Sequence, residues 1–184
     1  APICSGGTLS ALPTTSTNGI VGSWSPVLNN TASTTYTFTP NTGQCATTNT
    51  LSITVNPIVT PSFAAVGPIC SGTTLSALPT TSTNAITGGW SPALNNTATT
   101  TYTFTPTAGQ CATSNTLTIT VNPKVIPSFA PVNPICSGDT LNALPTTSTN
   151  AITGTRSPAL NNTVTTSYTF TPTAGLCATT AVVT

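Results

Sequence analysis

Cys4, Cys70 and Cys136 lie 66 residues apart, and Cys45, Cys111 and Cys177 repeat the same step. Around them runs one frame three times over: PICSGxTLxALPTTSTNxIxG, then SPxLNNTxxTxYTFTPxxGxC. Repeats this long and this alike restrict the chain to one small folding unit copied in tandem. Within each copy the apolar side chains alternate with threonine. Tyr36 and Phe38 fall on one face of Thr35–Thr39, and Leu51, Ile53 and Val55 do the same in the run that follows. Tyr102, Phe104, Leu117, Ile119 and Val121 repeat the pattern in the second copy. A period of two marks half-buried antiparallel strands. Turn signals stand between the runs at Pro13, Asn18-Gly19, Ser25-Pro26, Asn29-Asn30, Pro40 and Gly43. Short strands at this spacing predict an all-β sandwich.

The proline-bearing runs Val55–Phe63 and Val121–Phe129 read as linkers, because proline cannot serve throughout a central strand. The expected boundaries are therefore 1–56, 57–122 and 123–184. On this register the first copy lacks its opening strand. The third has a short, divergent closing strand, Ala181–Thr184 in place of Asn115–Val121. A unit of about 60 residues buries only about 60% of its unfolded surface and needs a staple. Two cysteines per copy, with no histidine and no C-x-x-C pair, point to disulfides in an oxidising compartment rather than to metal. The simplest pairing is within each copy: Cys4–Cys45, Cys70–Cys111 and Cys136–Cys177. Pairing between neighbouring copies or between chains stays open at this point.

Composition then removes functions. Of 184 residues only Lys124, Asp139 and Arg156 are charged, and there is no His or Met. One Asp without His or Glu builds no catalytic triad, carboxylate pair or calcium cage, so the chain is read as no enzyme, with no cofactor and no metal site. A net charge of +1 gives nucleic acid no electrostatic footing. No apolar run reaches the roughly 20 residues of a membrane helix. The chain carries no signal peptide and does not begin with Met, and is read as a mature or excised segment.

The frame CSGxTLxALPTTSTNxIxGxWSPxLNNTxxTTYTFTPxxGQC resembles the Ig-like tandem repeats of very large secreted surface proteins of Bacteroidetes, among them gliding-motility-associated and type IX secreted adhesins. The WSPxLNN and TYTFTPxxGQC blocks carry most of it, and it covers the whole chain. The resemblance implies an extracellular, cell-surface Ig-like sandwich, with glycan or other adhesion partners met outside this segment. The third copy departs from the pattern, with Arg156 at the position of Trp24 and Trp90 and Leu176 at that of Gln44 and Gln110.

Several positions stand out as candidates. Trp24, Trp90 and Arg156 are candidate contacts between units, at a position that a charge in one copy marks as partly exposed. Asp139-Thr140-Leu141 matches a short O-glycosylation acceptor at Thr140, against the plainer reading of a turn Asp. Asn29-Asn30-Thr31, Asn95-Asn96-Thr97 and Asn161-Asn162-Thr163 match the N-glycosylation sequon and read equally as turns. Thr35, Thr37 and Thr39 form a short row that bears on ice or glycan binding, although a twisting sheet favours plain solvent-facing threonines. What remains is a structural protein whose partner is itself. Its repeats form a surface fibre, or alternatively the stalk of a monomeric adhesin. Charge depletion favours the fibre, because sheet edges here lack the lysines that usually keep edges apart.

Overall fold

A computed structural model of the protein describes residues 2–184. It is all-β, with no helix among the described residues, and so none long and apolar enough to cross a membrane. The first repeat contains β1 (Ile3–Cys4), β2 (Gly22–Ser25), β3 (Thr34–Pro40), β4 (Asn49–Ile53) and β5 (Val55–Asn56). The second contains β6 (Ile69–Cys70), β7 (Gly88–Ser91), β8 (Thr100–Pro106), β9 (Asn115–Ile119) and β10 (Val121–Asn122). The third contains β11 (Gly154–Ser157), β12 (Tyr168–Pro172) and β13 (Ala181–Val183). Each repeat thus builds one three-stranded sheet, in the orders β2-β3-β4, β7-β8-β9 and β11-β12-β13.

The alternating side chains sit as their period requires. Tyr36 and Phe38 of β3 are buried while Thr35 and Thr39 face solvent, and Tyr102, Phe104, Tyr168 and Phe170 recur in β8 and β12. Each buried phenol is satisfied locally. The Tyr36 hydroxyl accepts from Asn29 N at 2.9 Å and donates to Asn29 O at 3.3 Å, which ties the 29–31 turn to the core. The glycine that opens β2, β7 and β11 is there for space. A Cβ on Gly88 would stand 2.6 Å from Phe104 Cζ and closer still to Thr105 O, and Gly22 and Gly154 meet Phe38 and Phe170 alike.

By contacts the chain divides into two compact units that do not follow the repeat frame. The first comprises Ala1–Ala64, Leu78–Ser91 and Thr103–Leu117; the second comprises Ala65–Ala77, Pro92–Tyr102 and Thr118–Thr184. In the first unit, β1 pairs in parallel with β5, matching Cys4 to Asn56, and Val59 makes a parallel bridge to Ala112. In the second, β6 pairs in parallel with β10, matching Cys70 to Asn122, and Val125 bridges Ala178.

The disulfides follow from these pairings and correct the simplest expectation. Cys4 bonds Cys111 within the first unit and Cys70 bonds Cys177 within the second, each across 107 residues, with Cα atoms 5.2 Å apart. The pairs Cys4–Cys45, Cys70–Cys111 and Cys136–Cys177 do not form; Cys45 and Cys136 are free thiols. Geometry forbids pairing within a repeat. Cys4 lies beside Asn56, beyond the last residue of β4, whereas Cys45 lies before its first. Five strand residues span roughly 16 Å, and a disulfide needs Cα atoms within about 7 Å. Cys4 and Cys111 instead meet along one linker, since Cys4 pairs with Asn56 and Ala112 with Val59 three residues on.

Two outcomes test this arrangement. Chymotryptic peptides of unreduced protein should contain Cys4 joined to Cys111 and Cys70 joined to Cys177, and none joining Cys4 to Cys45. Gly88→Ala should destabilise the fold by about 1–3 kcal/mol through overpacking against Phe104, read as a lower denaturant midpoint at unchanged slope.

Candidate functional site

What the structure builds with most care is a seat for the linker. In the first unit, Val59 N donates to Cys111 O at 2.8 Å and Thr113 N returns a bond to Val59 O at 3.0 Å. Asn84 holds the next residues with both ends of its amide. Its Nδ2 donates to Thr60 O at 2.8 Å and its Oδ1 accepts from Ser62 N at 3.2 Å. Asn115 Nδ2 donates to Pro61 O at 2.7 Å, and Pro61 is fully buried. Phe63 closes the seat, its ring centroid 4.7 Å from those of both Trp90 and Phe104.

The second unit repeats the seat on Val125–Phe129. Val125 N donates to Cys177 O at 2.8 Å, Asn150 Nδ2 to Ile126 O at 2.9 Å, and Ser128 N to Asn150 Oδ1 at 3.1 Å. Phe129 lies 4.8 Å from Phe170.

The same seat exists in the first repeat, and there it is empty. Trp24 and Phe38 stand 5.2 Å apart, as Trp90 and Phe104 do, but no linker phenylalanine covers them. Asn18 and Asn49 occupy the positions of Asn84 and Asn115. With Pro13, Trp24, Phe38 and Cys45 they line a cavity of about 700 Å³. Cys45 O and Thr47 N have no backbone partner among the described residues, and Cys45, Ala46 and Asn49 are exposed where Cys111, Ala112 and Asn115 are half-buried.

The third repeat has the opposite vacancy. In the first repeat β5 covers β1, and Val55 is buried with its N–H on Ser33 Oγ at 2.9 Å. In the third, Ile135 and Cys136 have no strand beside them among the described residues, and both are exposed. They border a cavity of about 460 Å³ that also takes in Asn161, Tyr168 and Val183. The Cys136 N–H turns instead to Asp139 Oδ2 at 3.1 Å.

The remaining candidates fall into place around these seats. Trp24, Trp90 and Arg156 are half-buried and play one role. Each donates to a proline carbonyl at 2.9 Å, Trp24 Nε1 to Pro13 O, Trp90 Nε1 to Pro79 O and Arg156 Nε to Pro145 O. The Arg156 guanidinium lies flat where the indole would, 4.1 Å from the Phe129 ring and 5.4 Å from Phe170, a cation–π replacement for aromatic stacking. Its Nη1 is buried without a partner, and burial lowers its pKa from the ordinary arginine value.

Thr140 is exposed beside the Asp139 turn. Asn29, Asn95 and Asn161 accept at Oδ1 from the N–H and hydroxyl of the threonine two residues on, closing Asx turns. Thr35 bonds Ser52 across the strands at 2.8 Å, and its row with Thr37 and Thr39 is interrupted by the half-burial of Thr37. The seats themselves were missed as sites in the sequence reading; the signal available was the conserved spacing of Val59-x-Pro61-x-Phe63 and Val125-x-Pro127-x-Phe129. Compared with known proteins, the chain matches no family model and no curated protein.

Arg156→Trp should stabilise the third repeat by about 1–3 kcal/mol, because it restores the indole and removes an unsatisfied buried donor. Denaturant unfolding of the variant beside the parent measures it.

Proposed function

We propose that this chain is an extracellular structural protein whose repeats assemble into a cell-surface fibre. The observation that carries the reading is the complementary pair of vacancies: the first repeat has an empty seat and the third an uncovered strand, and both are filled elsewhere in the same chain by the same kind of segment. A surface that completes itself with its own repeat needs no second protein. Such a head-to-tail contact does not return to its origin, and non-closing contacts grow into open filaments. Near-absence of charge removes the repulsion that usually keeps exposed edges apart. Two disulfides suit an oxidising, extracellular setting, as does the likeness of the frame to Ig-like repeats of secreted Bacteroidetes surface proteins.

The stalk of a monomeric adhesin is the second reading, favoured by the fact that the interlock already ties neighbouring repeats within one chain. Electron microscopy of unreduced protein separates them. The fibre reading expects filaments with a regular axial repeat that lengthen with concentration. Single chains of unchanged sedimentation coefficient at the highest attainable concentration would sink it.

A further inference from the structure

The six cysteines are of two kinds. The first in each repeat (Cys4, Cys70, Cys136) lies on the strand that β5 or β10 covers in repeats one and two. The second (Cys45, Cys111, Cys177) lies at the seat that receives Val59 or Val125 in repeats two and three. Both disulfides obey one rule: the first cysteine of a repeat bonds the second cysteine of the next. The two free thiols are one of each kind, Cys136 and Cys45, and both are exposed.

We propose that Cys136 of one copy and Cys45 of a second copy form a third interlocking disulfide of the same kind, joining chains head to tail. The inference rests on the assembling reading above and adds its covalent bond. Three independent features point to the same partner. The backbone edges beside the two thiols, Ile135–Cys136 and Cys45–Thr47, are unpaired, and they are the two edges that a linker joins in each complete site. The seat beside Cys45 keeps the groups that hold the linker in the second repeat, with Asn18, Trp24, Phe38 and Asn49 in the places of Asn84, Trp90, Phe104 and Asn115. A bond between two Cys45 or two Cys136 residues would set like edges against each other and reproduce neither existing disulfide. The chemistry needs an oxidant, and a low-molecular-weight disulfide supplies it. One protein thiolate displaces half of that disulfide, the second protein thiolate displaces the other half, and two protons and two electrons leave on two small thiols.

Single variants test the polarity. Cys45→Ser keeps only Cys136, and Cys136→Ser keeps only Cys45, so under oxidised glutathione each alone should remain at the 18.4 kDa chain mass on a non-reducing gel. Mixed together they should give a dimer, and no larger species, that reductant dissolves. The unmodified chain should give a ladder, and mass spectrometry should find the Cys136 peptide joined to the Cys45 peptide. Dimers of either variant alone in the yield of the mixture, or thiols at 45 and 136 that stay fully alkylatable in the mixture, would overturn the proposal. Filaments that persist in the Cys45→Ser variant would leave the fibre reading standing while the covalent bond falls. A heterodimer without filaments from the parent chain would do the reverse.

Discussion

A linker that neither neighbouring repeat can satisfy alone is the constraint on which this structure turns. Buried backbone N–H and C=O groups must find partners, and proline at 57 and 61 removes donors from the segment and fixes its course. The donors that remain are met from two sides. Val55 N–H is taken by Ser33 of the first repeat, while Val59 and Ser62 N–H are taken by Cys111 O and Asn84 of the second. The segment is therefore shared, and Cys4–Cys111 fastens together the two partners that share it. In the chain-entropy account, closing a loop of about 100 residues is worth about 4.7 kcal/mol, little more than a loop within one repeat. The consequence of the longer loop lies in what it joins.

The shared segment also completes the apolar core. Phe38, with no linker phenylalanine over it, is 6% exposed, whereas Phe104 and Phe170, under Phe63 and Phe129, are fully enclosed. The position beside these rings tolerates either Trp or Arg because both present a flat surface to the aromatic face and one N–H to a proline carbonyl. The glycines facing the same rings have no such freedom, since even a methyl group would overlap the ring and the strand behind it. A small core thus combines one adaptable wall with one rigid wall.

Much of this was legible in the residues. Period-two alternation located β3, β8 and β12, and the all-β class followed. The Asn18-Gly19 signal marked a turn that does adopt positive φ, at 84° for Gly19, and alanine takes the same conformation at Ala85 and Ala151 with φ of 64° and 63°. The linkers were legible as interruptions, from their prolines. Their role as strands shared in parallel between repeats was not, because pairing partners distant in sequence leave no local trace, and two-residue strands such as β1 and β5 have no period to read. Disulfide connectivity failed for the same reason. The two cysteines of one repeat are nearest in sequence, but the β3–β4 hairpin holds them at opposite ends of a strand. Arg156 was legible as an exception to burial, while its stacking on Phe129 depends on a linker ring whose place only the fold reveals.

Repetition changes what an unfilled site means. In most folds an open groove needs a partner with its own complementary surface. Here the complement is already encoded twice in the chain, as Val59–Phe63 and Val125–Phe129, and the receiving groups are neutral amides, carbonyls and aromatic faces rather than ions. Hydrogen bonds and ring contacts of this kind depend on position and direction, and they are not screened by salt as surface charges are. A chain with three charged residues in 184 therefore gains its selectivity from register. Two asparagine contacts, a proline seat and an aromatic lock must all align within one short extended segment. Near-identity of the repeats makes every such seat chemically equivalent, so the interaction that holds one repeat to the next inside the chain is also available wherever a seat stands open.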